Sequence, residues 1–186
     1  FDGKIIYFST DYVFDGKSAP YDENSQPNSI NHYGRTKLAA EEIILGNPLN
    51  LVVRVSGLYG FNKHNNRFLD KLRNQKVITA SNKYVSTPTY TEDIVRAIPD
   101  FMDMSGILHF SGEQSFSRYA FTKLAVESLG LATEVITGEE NKTARRPKDS
   151  SLVSIYSLRK TQTDEAFKEI RRAIWKEQKN FKKYAN

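Results

Sequence analysis

Tyr33 and Lys37 are the two residues whose types and spacing could do chemistry together. Residues four apart on an α-helix lie on the same side of it, so the phenol would lie beside the ammonium. A phenol is a poor proton shuttle near neutral pH unless a fixed cation favours its anion. The pair alone is a weak motif, because a tyrosine and a lysine on a helix more often form a surface contact in which the lysine stem lies along the ring.

A strand that ends in hydroxyl groups is predicted shortly before this pair. The apolar run over residues 4–9 is typical of a buried parallel strand, and Thr10 follows it directly. Ligands of open parallel sheets bind beyond the carboxyl ends of the strands, so Thr10 lies where a reacting group is expected. For Thr10 alone, a hydroxyl that ends the strand and caps the next turn is the simpler interpretation. Because Tyr33 and Lys37 are present in the same sequence, a catalytic role for Thr10 is favoured.

The elements that would position these residues form a strand–helix–strand unit. A helix over residues 33–45, stopped by Gly-Asn-Pro at 46–48, connects the strand over 4–9 to a second apolar strand over 51–55. Such a unit builds a parallel sheet, so the sequence predicts an α/β fold. The candidate core residues of this helix are Leu38, Ile43 and Ile44. The later predicted elements are a helix over 61–72, a hairpin of strands 77–79 and 84–86, a helix with Thr91 as its N-cap and Pro99 disturbing its end, a strand over 106–112, a helix capped by Ser117 and running to Leu129, a strand over 133–137, and a helix from about Asp164.

Six short motifs in a fixed order carry a resemblance to a known family. They are STDYVFDG at 9–16, PYDE at 20–23, YGRTK at 33–37, RVSGLYG at 54–60, TPTY at 87–90 and RPKDSSL at 146–152. In this order they resemble the extended short-chain dehydrogenase/reductases, and most of all the dTDP-4-dehydrorhamnose reductase branch. The resemblance covers nearly the whole chain.

The resemblance implies a fold and a division of the chain. The fold would be α/β, the C-terminal part of a doubly wound, Rossmann-type parallel sheet with a small substrate-binding lobe. Residues 1–60 and 88–112 would form the Rossmann-type part, and residues 61–87 and 113–186 would form mainly the substrate-binding lobe and the C-terminal helix.

A glycine-rich turn for the pyrophosphate of a dinucleotide is not found in the sequence. No Gly-x-x-Gly-x-x-Gly pattern follows a predicted strand, so the resemblance implies that the N-terminal cofactor-binding half is absent from these residues. We therefore expect the 186 residues alone to bind NAD(P)H weakly and to be inactive.

The resemblance also implies a reaction, the NAD(P)H-dependent reduction of the 4-keto group of a nucleotide-activated deoxysugar, in the first place dTDP-4-dehydrorhamnose to dTDP-rhamnose. Tyr33 would donate the proton, Lys37 would favour the phenolate and hold the nicotinamide ribose, and Thr10 would hydrogen-bond the carbonyl. General chemistry agrees, because hydride delivery to a ketone builds negative charge on oxygen that aimed donors stabilise. NADH and NADPH both stay open, since the residues that read the 2′ position belong to the absent half.

Four further residues match substrate-binding positions of the family. Asp11 and Tyr12 would lie near the sugar, although an Asx-type turn with a packed aromatic fits these two residues about as well. Arg146 and Ser150 would lie near the nucleotide diphosphate, where a guanidinium suits phosphate oxygens. Gly57 departs from the family, whose rhamnose-forming branch usually has a tryptophan there, so the identity of the sugar stays open.

Two other functions stay open beside the reductase. A non-catalytic regulatory protein similar to the β subunit of methionine adenosyltransferase shares the resemblance, and so does an epimerase of nucleotide sugars. The presence of Thr10, Tyr33 and Lys37 together favours the enzyme.

Composition narrows the classes of partner. The chain has no cysteine and three scattered histidines, which predicts no metal site. No apolar run approaches the ~20 residues that cross a bilayer, and no signal-peptide pattern opens the sequence, so we expect a cytoplasmic protein without a membrane partner. The net charge is +5, and most of the excess lies on the last helix, whose other side has Phe167, Ile170, Ile174 and Phe181 at helical spacing. This pattern indicates a solvated helix face and not a nucleic-acid site. A nucleotide sugar is the expected partner, and an uncovered edge of the strand over 4–9 would favour a homo-oligomer.

Overall fold

A three-stranded parallel sheet forms the centre of the molecule. The structure, a computed structural model, describes residues 3–62, 67–139 and 144–184. In chain order its strands and helices are β1 (Ile6–Thr10), α1 (His32–Leu45), β2 (Leu51–Val55), α2 (Arg67–Asn74), β3 (Val77–Ala80), β4 (Val85–Ser86), α3 (Thr91–Asp103), β5 (Gly106–His109), β6 (Phe116–Ser117), α4 (Arg118–Leu129), β7 (Glu134–Thr137) and α5 (Thr163–Tyr184). The main sheet has the order β1-β2-β5, and both pairings are parallel, which confirms the predicted α/β fold.

β2 lies in the middle of this sheet and is buried along its whole length. It has a neighbouring strand on both sides, and α3 packs over it through Ala97 and Phe101. A strand that is covered in this way needs apolar side chains at nearly every position. The run over 51–55 meets that need with a single exception, Arg54, which proves to be part of a buried ion pair.

Two small sheets lie outside the main one, and their pairing differs from the predicted hairpin. β3 pairs in parallel with β7, and β4 pairs antiparallel with β6. The hairpin prediction was wrong because residues 81–84 lead the chain from one small sheet into the other and do not fold it back on itself. Ile78 of β3 faces a second apolar core, to which α2, α4 and α5 also contribute.

Several predicted elements agree with the structure within one or two residues. They are the strands β1, β2 and β7, the helix α1 with Gly46 as its C-cap, the helix α4 with Ser117 as its N-cap, and the start of α5. The Ser117 hydroxyl accepts a hydrogen bond from the Ala120 N–H at 3.1 Å, as an N-cap serine does. Local signals, apolar runs for the strands and capping residues for the helices, were therefore sufficient for these elements.

The predicted start of α2 was wrong. The helix begins at Arg67, whereas Phe61 and Asn62 lie in a loop and residues 63–66 lie outside the described part of the chain. Phe61 packs against the second apolar core from this loop. Its apolar character at helical spacing had suggested that Phe61 belongs to the helix, but tertiary packing alone explains why this position is apolar.

The predicted ends of α3 were also wrong. Thr91 is the first helical residue and Tyr90 is the N-cap, without a side-chain hydrogen bond. Pro99 lies inside the helix, which continues to Asp103. Because Pro99 is exposed, water can satisfy the carbonyl group that the missing N–H leaves free.

α5 closes the second core with one face. Ala166, Phe167 and Ile170 are buried there, and Ile174 packs against them. The predicted contribution of Phe181 lies outside the described side chains. Among the residues that the structure describes, no helix combines the length and the apolar character needed to cross a membrane. The predicted division into a Rossmann-type part and a substrate-binding lobe stays a prediction.

α1 buries polar groups where an apolar stripe was predicted. Ile43 is 80% exposed, so its prediction as a core residue was wrong, and the buried residues of this helix are Gly34 and Glu41. Glu41 faces Arg54 of β2, which is equally buried. The helix is therefore held to the sheet by an ion pair in addition to apolar packing.

The geometry of this ion pair is bidentate. Arg54 Nη2 lies 2.7 Å from Glu41 Oε2, and Arg54 Nε lies 3.1 Å from Oε1. Ser9 donates a further hydrogen bond to Glu41 Oε1, and the guanidinium lies 5.2 Å from the centroid of the Phe14 ring. Both charges thus have several partners, which a buried pair requires.

His109 at the end of β5 extends the same network. Its Nε2 lies 3.3 Å from Arg54 Nη1, and its Nδ1 lies 3.1 Å from the carbonyl oxygens of Tyr21 and Val153. A neutral ring with its proton on Nδ1 satisfies all three contacts, because Nδ1–H donates to a carbonyl and Nε2 accepts from the guanidinium. Burial, and then the charge of Arg54, lower the pKa of His109.

We expect this histidine to make the fold less stable in mild acid. Because the pKa of His109 is lower in the folded state than its ordinary value of 6.5, the unfolded chain binds the extra proton first as the pH falls. The contribution is fully present above about pH 6.5 and is lost below it. The measurement is the urea midpoint of unfolding from pH 8 to pH 5, with each pH unit worth up to ~1.4 kcal/mol per proton.

His109→Gln is the matched variant, because an amide can donate to the carbonyls and accept from Arg54 but does not titrate in this range. The variant should show a smaller decline of the midpoint between pH 7 and pH 5 than the parent chain. Equal declines would contradict the assignment. Asp11, described below, has a raised pKa and acts in the opposite direction in both proteins.

Candidate functional site

Thr10 lies at the carboxyl end of β1, where the chain enters a short 3-10 turn over Asp11–Val13. Its hydroxyl accepts a hydrogen bond from the Tyr12 N–H at 3.2 Å and donates one to Asp11 Oδ1 at 3.0 Å. The hydroxyl thus has the capping contact that was the simpler interpretation of this residue. Thr10 is also buried, so the predicted contact with a substrate carbonyl stays a prediction.

Asp11 is a buried carboxylate that joins three segments of the chain. Its Oδ2 accepts hydrogen bonds from Ser56, which follows β2, at 2.8 Å and from Ser150 at 2.6 Å. Burial raises the pKa of Asp11, and the hydroxyl groups of Ser150, Ser56 and Thr10 offset part of that rise. Asp11 and Ser150 are therefore brought together as partners of each other, and their predicted contacts with substrate stay predictions.

The N-terminus of α1 brings Tyr33 to this end of the sheet. Asn31 is the N-cap, and its side chain accepts a hydrogen bond from the Gly34 N–H at 2.8 Å. A Cβ atom on Gly34 would lie 2.0 Å from the Tyr12 carbonyl oxygen and 2.2 Å from Ser29 Oγ. Only glycine allows this close approach, so Gly34 fixes the first turn of α1 against the loop that follows β1.

The Tyr33 side chain lies on the surface above this junction. It is 55% exposed, and its ring meets the Tyr12 ring edge to face with the centroids 6.2 Å apart. Within the described part of the chain, its hydroxyl group has no hydrogen-bond partner. The phenol is thus held by its ring and is open at its oxygen atom.

Lys37 follows Tyr33 one turn later, and its ammonium group reaches back to β1. Nζ donates a hydrogen bond to the Phe8 carbonyl oxygen at 2.6 Å and lies 4.1 Å from the centroid of the Tyr7 ring. β1 is at the edge of the sheet, so this carbonyl is available to a side chain. Lys37 and Tyr33 are therefore on the same helix, and the contact with β1 fixes the position of the Lys37 ammonium group.

A loop over residues 144–152 completes this surface. The Asn31 side chain donates a hydrogen bond to the Arg145 carbonyl oxygen at 3.0 Å, which ties the loop to the start of α1. Gly16, at φ +80°, lies so close to this loop that a Cβ atom at this position would be 2.6 Å from the backbone nitrogen of Lys148. The Arg146 guanidinium lies 6.0 Å from the centroid of the Tyr84 ring. The backbone at Arg145 is thus held at the N-terminus of α1, the Arg146 guanidinium lies beside Tyr84, and the predicted contact of Arg146 with a diphosphate stays a prediction.

Gly57, which stands where the resemblance implies a tryptophan, has a backbone reason to be glycine. Its φ is +43°, a conformation that residues with a side chain rarely adopt. The nearest atom to a Cβ here would be the Pro88 Cα at 3.6 Å, so the restriction comes from the backbone and not from space.

Two residues of the site were not predicted as functional from the sequence. Ser56 follows β2 directly, as Thr10 follows β1, so the rule that locates Thr10 would also have found it. Asn31 precedes a helical run, which is the ordinary sign of an N-cap. In the described ranges, no three His, Asp or Glu residues lie close enough together to hold a metal ion.

The chain matches the family described as RmlD substrate binding domain over residues 1–179. It belongs to this family. The RmlD substrate binding domain spans nearly all of the sequence, and the resemblance that the motifs predicted is confirmed.

Curated relatives and solved structures agree with this assignment. This chain is 31% identical over 166 residues to methionine adenosyltransferase 2 subunit beta of Danio rerio. The match covers 80% of this chain and 51% of that protein. It is 33% identical over 151 residues to the spore coat polysaccharide biosynthesis protein SpsK of Bacillus subtilis, covering 76% of this chain and 53% of that protein. The chain thus spans about half the length of these curated relatives.

Among solved structures, a dTDP-4-dehydrorhamnose reductase from Clostridium acetobutylicum superposes with a TM-score of 0.83 at 27% identity, covering 92% of this chain and 66% of that chain. The reductase from Bacillus anthracis in complex with NADP gives a TM-score of 0.81 at 27% identity, covering 90% of this chain and 64% of that chain. These structural similarities confirm that the parallel sheet β1-β2-β5 is of the Rossmann type.

Proposed function

We propose that the protein reduces the 4-keto group of a nucleotide-activated deoxysugar with NADPH or NADH, and that dTDP-4-dehydrorhamnose is the substrate. The observation that carries the proposal is the open hydroxyl group of Tyr33, with Lys37 one helical turn away and anchored on β1. The family and the solved dTDP-4-dehydrorhamnose reductases support the same reaction.

Two residues of the site suit the nicotinamide end of a bound cofactor. The Lys37 ammonium uses one of its three donors on the Phe8 carbonyl, which leaves donors for the hydroxyl groups of a nicotinamide ribose, and the open Tyr33 hydroxyl suits the same contact. These two residues fit the nicotinamide end. The adenine end would need a phosphate-binding glycine-rich turn, which the 186-residue sequence does not contain. When bound, the nicotinamide supplies a hydride to the carbonyl carbon.

The role of Tyr33 is to deliver the proton that balances this hydride. As the carbonyl oxygen gains negative charge, the Tyr33 hydroxyl donates its proton to that oxygen, and the sugar hydroxyl forms. The Lys37 ammonium favours the phenolate left behind. Thr10 would add a hydrogen bond to the oxygen if its hydroxyl turned away from Asp11.

Arg146 would bind the diphosphate of the substrate. Its loop is tied to the N-cap of α1 by the bond between Asn31 and the Arg145 carbonyl, which fixes the backbone next to Arg146. A guanidinium forms paired hydrogen bonds with phosphate oxygens, which suits this role.

The test is the reduction of dTDP-4-dehydrorhamnose by NADPH and by NADH, followed by the loss of reduced cofactor and by detection of dTDP-rhamnose. We expect turnover in a form of the protein that also carries a glycine-rich nucleotide turn. The 186 residues alone should bind either cofactor weakly in calorimetry. A micromolar dissociation constant for these residues as a monomer would contradict the need for that turn.

Arg146→Ala is expected to raise the KM for the nucleotide sugar by roughly ten- to a hundredfold and to leave kcat within a few-fold, because charged hydrogen bonds are worth ~1.5–3 kcal/mol. A phosphate contact far from the carbonyl binds ground and transition states alike. Arg145→Ala is the matched control, since it removes the same charge from the neighbouring residue. A collapse of kcat at unchanged KM would contradict the phosphate role.

A second candidate is a regulatory subunit without catalysis. Two observations favour it: the Thr10 hydroxyl is already bonded to Asp11, and a methionine adenosyltransferase subunit beta is among the relatives. Binding of a methionine adenosyltransferase catalytic subunit without any sugar reduction would support this candidate over the reductase.

A further inference from the structure

A small apolar groove lies beside α5. Its volume is about 250 Å³. We call it the tryptophan groove, and it is lined by Arg73, Leu129, Leu131, Arg171, Ile174 and Trp175. α2, the end of α4 and α5 thus all contribute to it.

Trp175 is the most prominent residue of this groove. It is 55% exposed and is the single tryptophan of the chain. A second cavity, of about 300 Å³, is lined by Trp175 with Lys168, Arg171 and Arg172. Tryptophan and arginine are the residue types most enriched at the centres of protein interfaces. The surface therefore has the composition of a contact site.

The charges around the groove have one sign. Among the residues that the structure describes, no acidic side chain lines either cavity. Lys168 forms ion pairs with Asp164 and Glu165 on its own helix, so its charge is largely matched. Arg73 and Arg171 have no carboxylate partner within the described ranges. Two available guanidinium groups, one on α2 and one on α5, thus flank an apolar floor.

We propose that the tryptophan groove docks an acidic amphipathic helix of a partner protein. Apolar side chains three or four residues apart on such a helix would enter the groove, and carboxylates beside them would meet Arg73 and Arg171. The proposal rests on charge complementarity and does not depend on the proposed reductase activity. A nucleic acid would need a wider set of unmatched cations than two, and it would leave the apolar floor without a function.

The single tryptophan makes the test direct, because its fluorescence reports this groove alone. The probe is a synthetic helical peptide with leucine at every third or fourth position, glutamate elsewhere, and no aromatic residue. We expect a saturable blue shift of the Trp175 emission on titration, from burial of the indole. The same peptide with lysine in place of glutamate should leave the emission unchanged.

Arg73→Glu and Arg171→Glu are each expected to weaken binding of the acidic peptide at least tenfold. Arg159→Glu is the matched control, because it makes the same charge change on an exposed residue outside the groove and should leave the affinity unchanged. Far-ultraviolet circular dichroism and thermal midpoints verify that each variant is folded.

Four results would overturn the proposal. The first is no emission change with the acidic peptide, and the second is an equal response to the lysine peptide. The third is a blue shift with vesicles containing phosphatidylserine but not with the peptide, which would indicate a lipid surface. The fourth is an emission change that depends on protein concentration alone, together with dimers in sedimentation, which would assign the groove to a second copy of this chain.

Discussion

Replacing Tyr33 by phenylalanine is expected to lower kcat for sugar reduction by about 10²–10⁴-fold while the nucleotide sugar still binds with nearly the same affinity. The variant loses only the hydroxyl group, which has no partner within the described part of the chain, and keeps the ring that packs on Tyr12. Folding should therefore be unaffected, and the loss would report the proton donor. The measurement is kcat with saturating cofactor, in the form of the protein that proves active.

Tyr156→Phe is the control for this variant, because it removes a hydroxyl group from another exposed tyrosine. It should retain the parent kcat. A loss smaller than tenfold in Tyr33→Phe would show that another group donates the proton. Equal losses in both variants would indicate an indirect effect on the fold.

Replacing Arg54 by methionine is expected to reduce the free energy of unfolding by about 3–5 kcal/mol, because it leaves the Glu41 carboxylate buried without its cation. The shape of the side chain is roughly conserved, so the effect is electrostatic more than steric. The His109 ring also loses a hydrogen-bond partner. Urea unfolding at pH 7 measures the change.

The double variant Glu41→Leu with Arg54→Met separates the lost charge pair from lost packing. Replacing both charges by apolar groups should recover more than half of the stability lost in Arg54→Met. As a surface control, Lys168→Met breaks exposed ion pairs with Asp164 and Glu165 on its own helix, and it should cost only ~0–1 kcal/mol. A loss in Arg54→Met no larger than in the surface control would contradict the buried-pair interpretation.

The sequence was sufficient for the parallel sheet and for the position of the candidate site. The apolar runs of β1 and β2, the helix between them and the terminal signals at Gly46 and Ser117 are local patterns with one structural solution each. Once the sheet was parallel, the rule on carboxyl ends located Thr10, and helical spacing located Tyr33 and Lys37 on one side of α1.

What the sequence could not predict depends on long-range partners. The short strands β3 and β4 have too few residues to specify a partner, so their pairing with β7 and β6 is decided by tertiary packing. Ile43 looks like a core residue until the Glu41–Arg54 pair is known, because that pair turns the other side of α1 toward the sheet. Two of the hydroxyl partners of Asp11, Ser56 and Ser150, come from distant segments, which no local pattern contains.

The hydrogen bond between Lys37 and the Phe8 carbonyl links the chemistry of α1 to the edge of the sheet. In a parallel ladder alternate carbonyl groups of a strand point to opposite sides, and the Ile5 carbonyl accepts from Leu51 in β2, so the Phe8 carbonyl points outward. Because a carbonyl oxygen has two lone pairs, a strand that paired with the outer edge of β1 would share this oxygen atom with the ammonium group. Pairing at that edge would bring a second donor to the oxygen atom that holds Lys37, so the chemistry of α1 and the pairing state of the sheet edge meet at a single backbone atom.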